Sequence, residues 1–135
     1  KPVCLYSPWQ FLFWYDRPSA DSGEPELEFW EQMPATWDET RVLAGEIGEF
    51  SAVARRKGDA WFIGCMNGAQ GRELPLALDF LEPGKRYTAT IYSDDPSLGT
   101  RTKVRVDSRE VDRSATLRAA LPARGGQAIH IAPAR

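Results

Sequence analysis

Hydrophobic positions recur with two different periods along the 135-residue chain, helical near its start and two-residue from the middle onward. The first run, Cys4-Leu5-Tyr6-Ser7-Pro8-Trp9-Gln10-Phe11-Leu12-Phe13-Trp14-Tyr15, predicts a helix from Pro8 to about Asp16. Ser7 is its N-cap and Pro8 takes the first helical position, where a missing N–H costs nothing. Trp9, Leu12 and Phe13 mark one stripe, while Phe11, Trp14 and Tyr15 cover much of the remainder. A helix apolar nearly all round has to be buried. A chain of this size has little room for it, so the segment is expected to pack against protein beyond this chain. Arg17 to Pro25 is dense in breakers and reads as a loop. From Glu26 to Met33, Leu27, Trp30 and Met33 stand at helical spacing before Pro34 and predict a second, short helix.

Pro34 to Gly48 shows neither period and is expected to be irregular. Alternation begins at Phe50. Phe50 to Arg56 and Ala60 to Met66 flank Gly58-Asp59, a two-residue hairpin signal. Between Glu73 and Phe80, Leu74, Leu76, Leu78 and Phe80 share one face, and Pro75, which has no N–H for a ladder, places that strand at an edge. Arg86 to Ser93 points Tyr87, Ala89 and Ile91 one way, and Val104 and Val106 alternate within Thr102 to Asp107. Ala115 to Leu121 and Gln127 to Ile131 complete the set. Short strands separated by regular turns are the pattern of an antiparallel β-sandwich, here of about seven to eight strands with one or two N-terminal helices.

Composition narrows the function. Seventeen Lys and Arg against 19 Asp and Glu give a net charge of −2, without the clustered basic surplus that binds nucleic acid. Fifteen aromatic residues (5 Trp, 6 Phe, 4 Tyr) supply a core and argue against disorder. The N-terminal run is too short to cross a membrane and lacks the layout of a secretory signal. Cys4 and Cys65 lack the spacing of a zinc site and are expected to be two separate, partly buried thiols, with a disulfide between them as the alternative. His130 falls between Ile129 and Ile131 on the last strand and projects to the opposite face, where a structural or surface role is expected.

No nucleophile elbow or phosphate loop is present in the sequence. The carboxylates that remain as candidates for acid–base work are Asp38-Glu39, Glu46, Glu49 and Asp94-Asp95. Asp94-Asp95-Pro96-Ser97 lacks the ligand order of a calcium loop and reads as a solvated turn. Tryptophans can stack on sugar rings, but aromatics more often fill cores and interfaces. Trp37, beside Asp38 and Glu39, is the most arguable sugar contact.

Pro34 to Phe50 and Val53 to Gly64, followed by Leu78-Asp79-Phe80-Leu81, Tyr87 to Tyr92 and Gly125 to Ile129, resemble the C-terminal region of glycoside hydrolase family 97, bacterial α-glucosidases and α-galactosidases. Ser7-Pro8-Trp9-Gln10 is similar to the opening of that family's last barrel helix. The resemblance implies that residues 1–33 are the helical end of a catalytic (β/α)8 barrel and that 34–135 form a C-terminal β-sandwich. It further implies a periplasmic parent enzyme whose catalytic carboxylates and calcium ligands lie outside this chain, leaving no catalytic, cofactor or metal residue here. The barrel of the same polypeptide is then the partner, with Trp9, Phe13, Trp14, Trp30 and Trp37 as packing candidates. A carbohydrate-binding module using Trp37, Asp38 and Glu39 is the alternative.

Overall fold

The computed structural model describes residues 1–7 and 23–134. Among these, one helix, α1 (Leu27–Gln32), precedes eight strands: β1 (Glu39–Glu46), β2 (Phe50–Lys57), β3 (Ala60–Asn67), β4 (Arg72–Ala77), β5 (Tyr87–Asp94), β6 (Val104–Val111), β7 (Thr116–Leu121) and β8 (Gly126–Pro133). Six strands form one sheet in the order β1-β2-β3-β8-β5-β6, and β4 and β7 form a second. Every pairing is antiparallel. The architecture is therefore the sandwich that the alternation predicts.

The β2–β3 hairpin closes at Gly58-Asp59, with Lys57 opposite Ala60. Gly58 supplies a φ of 57°, the left-handed value that the first position of such a turn demands and that a side chain resists. Pro75 sits on β4 opposite Arg118, and in a two-stranded sheet it costs no ladder bond on its free side.

The main core lies between the sheets. Leu74 and Leu76 of β4 and Leu117, Ala119 and Leu121 of β7 project onto Ala52, Ala54, Ile63, Ala89, Ile91, Ile129 and Ile131 of the large sheet. Their strand neighbours Glu73, Pro75, Arg118 and Ala120 are exposed, so the small sheet is wet on its far side.

The large sheet is not. Residues Trp61 to Cys65 of β3 are buried without a break, as are Ala52 to Ala54 of β2, the mark of strands covered on both faces. On the face turned away from β4 and β7, here called the outer face, Val3, Phe29, Phe62 and Tyr92 form a second buried cluster. Met33, Trp37, Val104, Val106 and Ala128 pack at its margins. Its rings meet edge to face: Phe29 lies 5.7 Å from Phe62 and 5.3 Å from Tyr92, and Trp37 lies 5.3 Å from Phe62. Such pairs add about 0.5–1.5 kcal/mol to the gain from area burial.

Residues 1–6 are laid directly over β3. The Cys4 thiol donates to the Gly64 carbonyl at 3.1 Å, and the Arg55 guanidinium donates to the Val3 carbonyl at 2.6 Å and to Thr40 Oγ1 at 2.7 Å. The same guanidinium covers the Tyr6 ring at 5.0 Å. A Cβ on Gly64 would lie 2.9 Å from Val3 Cβ and 3.0 Å from Cys4 Sγ, so the absence of a side chain there is what lets the segment approach.

Three expectations are corrected. Pro34 to Gly48 is not wholly irregular, since β1 occupies Glu39–Glu46; a bulge between Val42 and Ala44 breaks the two-residue period that would have revealed it. The strand expected over Thr102 to Asp107 is β6 and runs to Val111; it is an edge strand with both faces largely wet, so Ser108, Arg109 and Glu110 carry no apolar signal. Phe29 is the buried residue of α1 rather than the stripe of Leu27, Trp30 and Met33, because six residues make too few turns for a stripe. The predicted Pro8–Asp16 helix, with Trp9, Phe13 and Trp14, lies outside the described residues.

Gly64→Ala is therefore expected to destabilise the chain by about 1–3 kcal/mol, the usual cost of overpacking. Gly99→Ala, where nothing lies within 4 Å, is expected to change stability by less than about 0.5 kcal/mol. Urea unfolding of the two variants makes the comparison.

Candidate functional site

The outer face brings together two of the aromatics that the sequence marks out, Trp30 and Trp37. Trp37 stands just before β1 and packs on Phe62, and among the described residues its buried indole Nε1 has no hydrogen-bond partner. Asp38 and Glu39 follow it, but their oxygens are engaged. The backbone N–H of Gly58 and the Lys57 ammonium donate to Asp38, at 2.8 and 3.2 Å. Arg41 and Arg56 donate to Glu39, at 2.6 and 3.2 Å. The Gly58 N–H, then Lys57, holds the Asp38 carboxyl below its ordinary pKa, and Arg41, then Arg56, does the same for Glu39. Both are ionised tethers that fix the entry of β1 beside the β2–β3 hairpin, the opposite of a carboxylic acid kept protonated for proton donation.

The other carboxylates are dispersed. Glu49 pairs with Arg72 at 2.8 Å, and Glu46 is exposed at the end of β1. Asp94 accepts from the Gly126 N–H at 3.1 Å. Asp95 accepts from the Ser97 N–H and hydroxyl, at 2.9 and 2.5 Å, and from both donors of the Arg105 fork. The Asp94–Ser97 turn thus spends its oxygens on its own Ser97, on Gly126 of β8 and on Arg105 of β6. Among the described residues no group of three or more His, Cys, Asp or Glu is arranged to hold a metal ion.

The thiols are free, with Cys4 on the outer face and Cys65 in the core between the sheets. Burial pushes the Cys65 thiol up to about 12 and raises that of Cys4. His130 faces away from Ile129 and Ile131, as the alternation requires, with its ring 4.6 Å from that of Phe62. Burial lowers its pKa and favours the neutral imidazole.

Trp30 lines a groove of about 440 Å³ together with Pro2, Glu26, Tyr92 and Arg124. The structure therefore brings Trp30 and Trp37 to one face, over a floor of Phe29, Phe62 and Tyr92. Sequence reasoning missed that floor and its clamp, Arg55. A detectable signal was present in the uninterrupted run Trp61-Phe62-Ile63, since a one-faced strand alternates. Arg55 was hidden inside a short basic run.

Known proteins give these features a context. A family model described as "Glycosyl-hydrolase 97 C-terminal, oligomerisation" matches residues 36–132. A retaining alpha-galactosidase of Bacteroides thetaiotaomicron is 33% identical over 131 residues, which is 96% of this chain but 19% of the relative. A probable retaining alpha-galactosidase of Streptomyces bingchenggensis is 50% identical over 52 residues, 37% of this chain and 8% of the relative. Among solved structures, a glycoside hydrolase family 97 enzyme of Pseudoalteromonas sp. strain K8 in complex with acarbose superposes with a TM-score of 0.75 at 29% identity. The superposition covers 83% of this chain and 19% of that one. The chain thus spans about a fifth of the length of the Bacteroides and Pseudoalteromonas proteins.

The Asp95 turn carries a pH signature. The Ser97 hydroxyl, with Arg105 behind it, lowers its carboxyl from an ordinary 3.8 to about 2. A carboxyl depressed by folding contributes stability above its unfolded value and loses it as pH falls through the folded one. Its contribution is therefore complete above about pH 4 and disappears toward pH 2. Asp95→Asn should flatten the acid-unfolding profile over that window, a change that stability measured stepwise from pH 5 to pH 2 will show.

Proposed function

The chain belongs to the glycosyl-hydrolase 97 C-terminal family, and on that premise we propose that it is the non-catalytic β-sandwich of a larger α-glycosidase acting on α-galactosides or α-glucosides. It packs on the catalytic barrel, stabilises it, and joins copies of the enzyme into an oligomer. The parent acts in the bacterial periplasm, and its catalytic carboxylates and calcium ligands lie in the other domains. Residues 1–33 are the helical end of that barrel and 34–135 the sandwich proper, with Trp9, Phe13, Trp14, Trp30 and Trp37 at the junction.

The observation that carries this reading is the covering of the outer face. Val3, Phe29 and Trp37, all from the segment at or before the start of the family match, lie on the large sheet through Phe62 and Tyr92. The polypeptide that precedes a module of this kind is delivered to that same face, where the partly buried Trp30 lines the groove. Asp38 and Glu39 support the scaffold role because both are committed to neighbouring cations.

Comparing the chain with the intact polypeptide tests this. Hydrolysis of aryl α-galactosides or α-glucosides is expected from the intact polypeptide alone, and oligosaccharides added to the chain should give no saturable change in tryptophan fluorescence. Hydrolysis by the chain itself contradicts the proposal, and a saturable fluorescence change transfers it to a carbohydrate-binding module.

A further inference from the structure

Among the described residues the large sheet has two open edges, and they differ in chemistry. β6 carries Arg105, Asp107, Arg109 and Glu110 among its eight residues, the kind of charge that keeps an edge from pairing. β1, at the other end, is uncharged from Val42 to Gly45. Val42 is 75% exposed there, and Ile47, one residue past the strand, is fully exposed. Between them runs a groove of about 540 Å³, lined also by Gly45, Gly48, Ser51 and Met66. An edge that offers free backbone groups and apolar side chains together is a template for another strand.

We propose that β1 pairs antiparallel with β1 of a second copy of this chain, across a two-fold axis between Leu43 and Ala44, so that two six-stranded sheets join edge to edge. The inference rests on the oligomerisation assigned above and supplies its surface. The faces of β1 select the register. Arg41 aligns with Ala54, and Glu46 with Phe50, so both lie on the side of the core, whereas Val42 and Gly45 align with Val53 and Ser51 on the outer side. Pairing about the proposed axis sets Arg41 of each copy opposite Glu46 of the other, and Val42 opposite Gly45, where the missing side chain leaves room for it. Each residue then meets one on its own face. A slip of one residue sets Arg41 against Gly45, on opposite faces. A slip of two that sets Arg41 against Ala44 brings Glu39 against Glu46, a like-charge pair that destabilises the ladder. A two-fold interface of this kind is closed, because each edge is used once.

Sedimentation equilibrium and concentration-dependent amide exchange on the full 135-residue chain test the proposal. The expected result is a dimer whose exchange protection, as concentration rises, grows at β1 and not at β6. Val42→Lys, at a position exposed enough to leave the fold intact, should raise the dimer dissociation constant at least about tenfold, a change of about 1.4 kcal/mol. Arg41→Glu and Glu46→Arg should each weaken the dimer, and the double exchange should restore it. A dimer indifferent to Val42→Lys, or protected at another element, overturns the β1 interface and leaves oligomerisation standing. A chain that stays monomeric at every concentration overturns both.

Discussion

The structure depends on the burial of its large sheet from both sides. A β-sandwich normally keeps one face of each sheet wet, and the two-stranded sheet here follows that rule. The six-stranded sheet does not, because residues 1–6, α1 and Trp37 cover the centre of its outer face. Phe62 is the pivot of that cover, in ring contact with Phe29, Trp37 and His130. Removing one such ring from water contributes about 1.5–3 kcal/mol, a large share of the net stability of a domain this size. The cover holds only because Gly64 presents no side chain beneath Val3 and because Arg55 satisfies the Val3 carbonyl.

This arrangement explains why the polar residues do structural work. Asp38 and Glu39 anchor the strand that follows the cover, and Asp95 ties the loop between β5 and β6. Exposed ion pairs of this sort contribute little individually, but they fix where chain segments begin and end. A module that gives its carboxylates to neighbouring Lys and Arg side chains serves geometry rather than proton transfer. On the proposed reading, its value to a larger enzyme lies in its faces and edges: an outer face that receives the preceding chain, and a β1 edge suited to another copy.

The alternating runs were legible in the sequence because each has one dry face. Leu74, Leu76 and Leu78, and likewise Tyr87, Ala89 and Ile91, face the core as their spacing requires. β1 was not legible, since the bulge at Leu43 shifts the phase of its side chains. The far half of β6 was hidden for the opposite reason: with both faces wet, nothing alternates. At the candidate site, Trp37 and its two carboxylates stood out locally. The partners that assign them their role, Phe62, Arg56 and Gly58, come from a hairpin brought alongside by folding, and a local pattern does not encode that proximity. Gly64 is the extreme case, for only the segment lying above it shows why no side chain is present.

The most direct measurement of this account is the unfolding free energy of Phe62→Ala set beside that of Leu76→Ala, one from each buried face. If the outer face is a true second core, the two truncations cost comparable amounts, about 3–5 kcal/mol for the phenylalanine and about 2–5 for the leucine. A Phe62→Ala cost below about 1 kcal/mol, with Leu76→Ala still severe, would contradict it.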